Sequence, residues 1–176
     1  MLDTLISSKT RVKLLLKFFL NTSTSSYLRG LESEFGESSN AIRLELNKLE
    51  GAGLLTSNIQ GNKRFFRANT EHPMFDDINR IVFKFTGLDK LVERIVEGLG
   101  DLKSLYLVGD LATGLKSDVV DLVFVGNIDK NYLFELVQKV ETKLQKKVKY
   151  IAYNNSEFSP EVLGADHQDY LLLWSK

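Results

Sequence analysis

Residues 38–69 read SSNAIRLELNKLEGAGLLTSNIQGNKRFFRAN, and two structural periods succeed each other within them. Ser38 and Ser39 are candidate caps, because a serine hydroxyl can accept from the amides that the first turn of a helix leaves unbonded. Ile42, Leu46 and Leu49 then fall on one helical stripe, and the helix ends at Gly51 or Gly53. From Leu54 the pattern changes. LLTSNIQ and KRFFRAN are β-prone runs on either side of Gly61-Asn62, and a two-residue hairpin turn needs positive φ, which glycine or asparagine supplies cheaply. With Ile42, Leu46 and Leu49 turned inward, the helix offers Ser39, Asn40, Arg43 and Asn47 on its other face, with Leu44 among them.

Upstream, Ser7, Ser8 and Thr10 precede RVKLLLKFFL, whose Val12, Leu15, Leu16 and Phe19 recur at helical spacing to about Asn21, with Lys13 and Lys17 expected outward. SYLRGLESEFG predicts a short second helix on Leu28, Leu31 and Phe35, stopped by Gly36. Three short helices followed by a hairpin is the winged-helix order. The stretch YLRGLESEFGESSNAIRLELNKLEGAGLLTSNIQGNKRFFRAN resembles the arsenic-repressor-like winged-helix regulators over about 60 residues. Leu46, Leu49, Ala52, Gly53 and Leu54 match that family's helix ending, and Gly61, Asn62, Lys63, Arg64, Phe65 and Phe66 its wing.

The resemblance implies binding to double-stranded DNA. A recognition helix keeps its apolar stripe on the core and presents the opposite face to base edges in the major groove. Arg43 could pair with guanine and Asn40 or Asn47 with adenine. In the wing, Asn62, Lys63, Arg64 and Arg67 are candidate DNA contacts, the cations reaching phosphates, which position without reading sequence. Leu44 stands where the family often has a polar or basic residue, and can touch a thymine methyl.

Downstream, TEHPMFDDIN marks a boundary at Pro73. Ile78, Ile81, Val82 and Phe85, then Leu88, Leu91, Val92, Ile95 and Leu99, predict two amphipathic helices separated or bent at Gly87. KSLYLVG and VVDLVFVG then read as strands joined by the loop DLATGLKSD. A helix capped by Asp129 follows, with Leu133, Leu136, Val137, Val140 and Leu144 along one face, then KVKYIAY as a third strand and DYLLLWSK as a fourth.

This second half resembles the minimal nucleotidyltransferase fold of the polymerase-beta superfamily. Gly109 and Gly114 match its loop glycines and Asp121 its second metal-binding aspartate, while Asp110 replaces a serine and Thr113 a basic residue. Its first aspartate falls on Val119. Aspartates two apart share a strand face, but Asp118 and Asp121 are three apart and fall on opposite faces unless a bulge intervenes. Gly109, Asp110, Gly114, Asp118 and Asp121 are therefore expected to form a degenerate nucleotide site, with no catalytic residue, no metal and no cofactor.

Composition bounds the rest. The 176 residues are 43% hydrophobic with two prolines, as in globular chains. Cysteine is absent, which excludes disulfides and thiolate sites, and only His72 and His167 are available for a histidine metal site. No apolar run is long enough to span a bilayer, and the basic start lacks a signal-peptide pattern. A soluble, cytoplasmic protein is expected, with no membrane partner. The net charge of zero divides into 10 Lys and Arg against 6 Asp and Glu in residues 1–70, and 13 against 17 in 71–176. The basic half is the one suited to a polyanion.

The expected fold is α+β, an N-terminal winged helix-turn-helix followed by a small α/β mixed-sheet nucleotidyltransferase-like domain. Residues 1–70 would be the DNA-binding domain, 71–100 the connecting helices and 101–176 the nucleotidyltransferase-like domain. The expected function is transcriptional regulation as a homodimer, with the second domain as scaffold, sensor of a small molecule or nucleotide, or dimer contact. The alternative is an active metal-dependent nucleotidyltransferase acting on a small molecule or a protein.

Overall fold

A computed structural model describes residues 6–115, 117–164 and 169–176. The chain forms two compact units that divide between Phe85 and Thr86. His167 and, in the glycine loop, Lys116 lie outside the described residues.

In the first unit, α1 (Lys9–Phe19) starts on Ser8, whose hydroxyl accepts from the Arg11 amide at 3.2 Å. Val12, Leu15, Leu16 and Phe19 are buried as their spacing predicts, but so are Leu14 and Phe18. The helix is covered on nearly every side, and this corrects the expectation that Lys17 points outward. Lys17 is buried, and its ammonium lies 2.6 Å from Glu34. A lysine can enter such a place only with a partner for its charge. Lys13 is also engaged, donating to the Phe35 carbonyl at 3.0 Å and pairing with Glu37 at 2.7 Å.

A two-residue strand that has no period to betray it, β1 (Ser26–Tyr27), leads into α2 (Leu28–Phe35), which closes at Gly36. After the turn comes α3 (Ser39–Gly51), capped by Ser38. Ile42, Leu46 and Leu49 are buried on its inner side, and Leu14 and Phe18 of α1 and Leu31 of α2 are fully buried in the same unit. The hairpin follows as β2 (Leu55–Gln60) and β3 (Lys63–Ala68), and β1 pairs with β3 to give the order β1-β3-β2. Of the two turn residues only Gly61 has positive φ, at 60°. The last helix of this unit is α4 (Phe75–Thr86). Asn79 donates to the Phe19 carbonyl at 2.6 Å, and the Phe75 and Phe19 rings lie 5.8 Å apart.

The second unit begins with α5 (Leu88–Gly98), which buries Leu88, Leu91 and Ile95. Then come β4 (Leu102–Val108), the single turn α6 (Gly109–Ala112), β5 (Val119–Gly126), α7 (Lys130–Leu144), β6 (Lys147–Tyr153) and β7 (Tyr170–Ser175). Asp129 caps α7, its carboxylate accepting from the Asn131 and Tyr132 amides. The sheet order is β6-β5-β4-β7, with β5 parallel to β6 and β4 antiparallel to both neighbours. A parallel pair needs a crossover, and α7 supplies it. Val120, Leu122 and Phe124 are buried on one face of β5, and Val123 and Val125 join Leu163, Tyr106 and Phe158 on the other. The fold is α+β, with the winged helix-turn-helix first and the small mixed-sheet domain second. Among the described residues no helix is long and apolar enough to cross a membrane.

Candidate nucleic-acid interface

The inward stripe of α3 decides which of its residues face water. Asn40, Arg43, Leu44 and Asn47 are exposed and follow the spacing i, i+3, i+4 and i+7, so they form one outward face. Glu45, one position round, is buried instead and receives the Arg11 guanidinium of α1 at 2.7 Å. Burial alone would raise the Glu45 pKa, but the hydrogen bond and charge of Arg11, with Ser8 and Lys48, hold it below the ordinary carboxylate value. Ser39, half-buried, donates to Glu32 of α2 and so helps to fix the helix-turn-helix angle.

Between α3 and the wing lies an open groove of about 530 Å³. Arg43, Asn47, Asn62, Lys63 and Arg64 line it, as does Arg29. No carboxylate is among its lining residues. Ser39, Asn40 and Arg67 do not line this groove; Asn40 sits on the exposed face of α3 and Arg67 on the exposed side of β3. The wing cations differ from one another. Strand alternation puts Lys63, Phe65 and Arg67 on one side of β3, and Arg64 on the side of buried Phe66 and Ala68. Lys63 holds its ammonium 4.3 Å from the centre of the Tyr27 ring, which itself packs on Phe65. Arg64 is tied to Glu50 of α3, with Nη2 at 2.6 and 2.7 Å from the two carboxylate oxygens.

Arg29 and Tyr27 were not singled out from the sequence. The outward position of Arg29 follows from the stripe of Leu28, Leu31 and Phe35 on α2. That it faces the wing follows only from the pairing of Tyr27 with Phe65 across β1 and β3.

In the second unit the structure keeps Gly109, Asp110, Gly114 and Asp121 near one another and sets Asp118 apart. The pairing of β5 with β6 runs without a break from Val119–Lys147 to Val125–Tyr153, so no bulge shifts the strand's parity. Asp118, just before β5, lines a hollow with Glu141 and Lys147 beside the end of α7. Asp121 lies opposite Val108, on the side of β5 that carries Val123 and Val125. Gly109 has a φ of 71°, and a Cβ there would sit 2.8 Å from Asp121 Oδ2. The glycine thus makes room for a carboxylate as well as a turn. Asp110 is exposed; its carbonyl accepts from Thr113 Oγ1 at 2.9 Å, and Gly114 is buried with φ 84°. Asp118 and Asp121 do not supply the paired carboxylates that a bridging divalent metal needs on one strand face: Asp118 lies before β5 and lines the hollow beside α7, and Asp121 lies on the side of Val123 and Val125. Among the described residues, no group of three or more His, Cys, Asp or Glu could hold a metal ion.

No protein-family model matches the chain, and no curated protein is similar to it in sequence. Likenesses to solved structures extend over half of it. The MntA–HpeT toxin–antitoxin complex is 18% identical over 51% of this chain and 72% of that one, with a TM-score of 0.39. The complex of the Shewanella oneidensis HEPN toxin with the MNT antitoxin is 18% identical, covering 52% and 73%, with a TM-score of 0.38. A possible transcriptional regulator for arsenical resistance is 29% identical over 49% of this chain and 85% of that one, with a TM-score of 0.31. Superpositions this loose transfer no role.

Proposed function

We propose that the chain is a DNA-binding transcriptional regulator that acts as a homodimer. The observation that carries this is the groove between α3 and the wing, lined by Arg29, Arg43 and Lys63 with no carboxylate among its lining residues, in a chain of net charge zero. Such a concentration of cations beside an exposed helix face suits the phosphate backbone and one major groove. Arg43 is placed to meet guanine bidentately and Asn40 and Asn47 to meet adenine, while Lys63, Arg29 and Arg67 neutralise phosphates. A second copy would read a second half-site about one helical turn away. The mixed-sheet unit then serves as scaffold, effector sensor or dimer contact.

Selection of bound sequences from random duplex DNA tests this directly. A recurring pair of half-sites is expected, with affinity falling steeply as salt rises. Recovery of no preferred sequence, at any ionic strength, would sink the proposal. The second reading, metal-dependent nucleotidyl transfer, gains no support from Asp118, which lies before β5 beside α7, and Asp121, which lies within β5 on the side of Val123 and Val125. Titration with magnesium and ATP should give neither heat nor label transfer.

A further inference from the structure

Arg64 has the sequence position of a phosphate-contacting wing cation, but its surroundings give it another task. Its Nη2 lies 2.6 and 2.7 Å from the two oxygens of Glu50, on the last turn of α3. Its Nε donates to Ser57 Oγ on β2 at 2.8 Å, and that hydroxyl donates to Glu50 Oε1 at 2.5 Å. The guanidinium also lies 5.2 Å from the centre of the Phe66 ring. One side chain thus joins the end of the recognition helix to both strands of the wing through a closed ring of charge-assisted hydrogen bonds. The guanidinium does this from two rigidly joined nitrogens, Nη2 on Glu50 and Nε on Ser57, a pre-organised arrangement that the flexible, more strongly hydrated lysine ammonium does not reproduce.

We propose that Arg64 is a positioning residue that clamps the wing to α3 through Glu50 and is not itself a phosphate ligand. The clamp sets the angle at which Lys63 meets DNA, and in that respect it rests on the DNA-binding function proposed above.

The two roles make opposite forecasts for Glu50. A phosphate-binding Arg64 would be released by E50Q, which also removes an anion beside the groove, so DNA binding would tighten. A clamping Arg64 would lose its anchor, and E50Q would weaken binding as R64Q does. The test compares E50Q, R64Q, R64K and K63Q in the full chain by duplex affinity across a salt series, and by amide hydrogen exchange of residues 57–66 without DNA. Expected are a weakening of roughly tenfold in each of E50Q, R64Q and R64K, equal salt slopes for E50Q and R64Q, and faster exchange in the hairpin of both. K63Q should lower the salt slope by about 0.9, the value of one phosphate contact. Tighter binding by E50Q, full affinity in R64K, or a slope that drops for R64Q alone would overturn the clamp. If the wild-type chain binds no duplex, the DNA-binding function falls, and hydrogen exchange decides the clamp by itself: unchanged protection in E50Q overturns it and faster exchange supports it.

Discussion

Arg43 and Leu44 stand side by side on the exposed face of α3, and each makes a separate forecast for base reading. Arg43→Ala should cost about 1 to 3 kcal/mol of binding, concentrated at one base position, as loss of a bidentate guanine contact would. Comparing the sequences selected by the wild type and the variant checks this; a uniform loss at all positions would make Arg43 a phosphate contact instead. Leu44 is 52% exposed and has no polar atom to offer a base. If it meets a thymine methyl, replacing that thymine by uracil should weaken the wild type by about 0.8 kcal/mol, the worth of one buried methylene-sized group. In Leu44→Ala the same replacement should change nothing. The outward direction of both residues was legible in the sequence, because Ile42, Leu46 and Leu49 fix the inner side of α3. The commitment of Arg64 was not legible, since its partner Glu50 is 14 residues away and is reached only after the hairpin folds back.

At the scale of elements, the helix-turn-helix is held together by ion pairs that its periodicity does not reveal. Arg11 to Glu45 and Lys13 to Glu37 tie α1 to α3 and to the turn before it. Burial raises the Glu37 pKa and Lys13 and Thr10 lower it, with a net result below the ordinary 4.5; Glu45 is shifted the same way. A carboxylate whose folded pKa is depressed adds stability that is present above its unfolded pKa and lost as pH falls through the folded value. The unit that contains α1 and α3 should therefore lose stability as pH drops below about 4.5, and the pH dependence should flatten in Glu37→Gln combined with Glu45→Gln. Denaturant unfolding between pH 3 and 7 measures it. The pair of buried Lys17 with half-buried Glu34 predicts a further loss. Glu34→Ala leaves an ammonium with no counter-charge at 2.6 Å and should reduce unfolding free energy by about 2 kcal/mol. A change within error would show that Lys17 finds water instead.

At the scale of the whole molecule, charge and chemistry are divided between two units. On duplex binding, amide protection should increase within residues 39–67 and leave β4, β5 and β6 unchanged. Protection confined to the second unit would reverse the roles given to the two halves. The separation of Asp118 from Asp121 in that second unit was half legible. Spacing set Asp118 and Asp121 at opposite parity along a regular strand; the structure instead starts β5 at Val119, leaving Asp118 before it beside α7 and Asp121 within it.

By itself the sequence determined the local elements, because a helical stripe, a serine cap and a glycine turn act over a few residues and need no distant partner. It therefore carried the three helices, the hairpin, the chain order of strands and helix in the second half, and the exposed face of α3. The tertiary structure decided what those elements do with their charges. β1 contributes only two residues and is defined by its pairing with β3, and that pairing brings Tyr27 against Phe65 and Arg29 into the groove. Lys17 turns inward because Glu34 of another helix meets it. Arg64 becomes a clamp because β3 returns it to the end of α3. Opposite charges find each other across folded distances, and no period along the chain encodes which partner arrives.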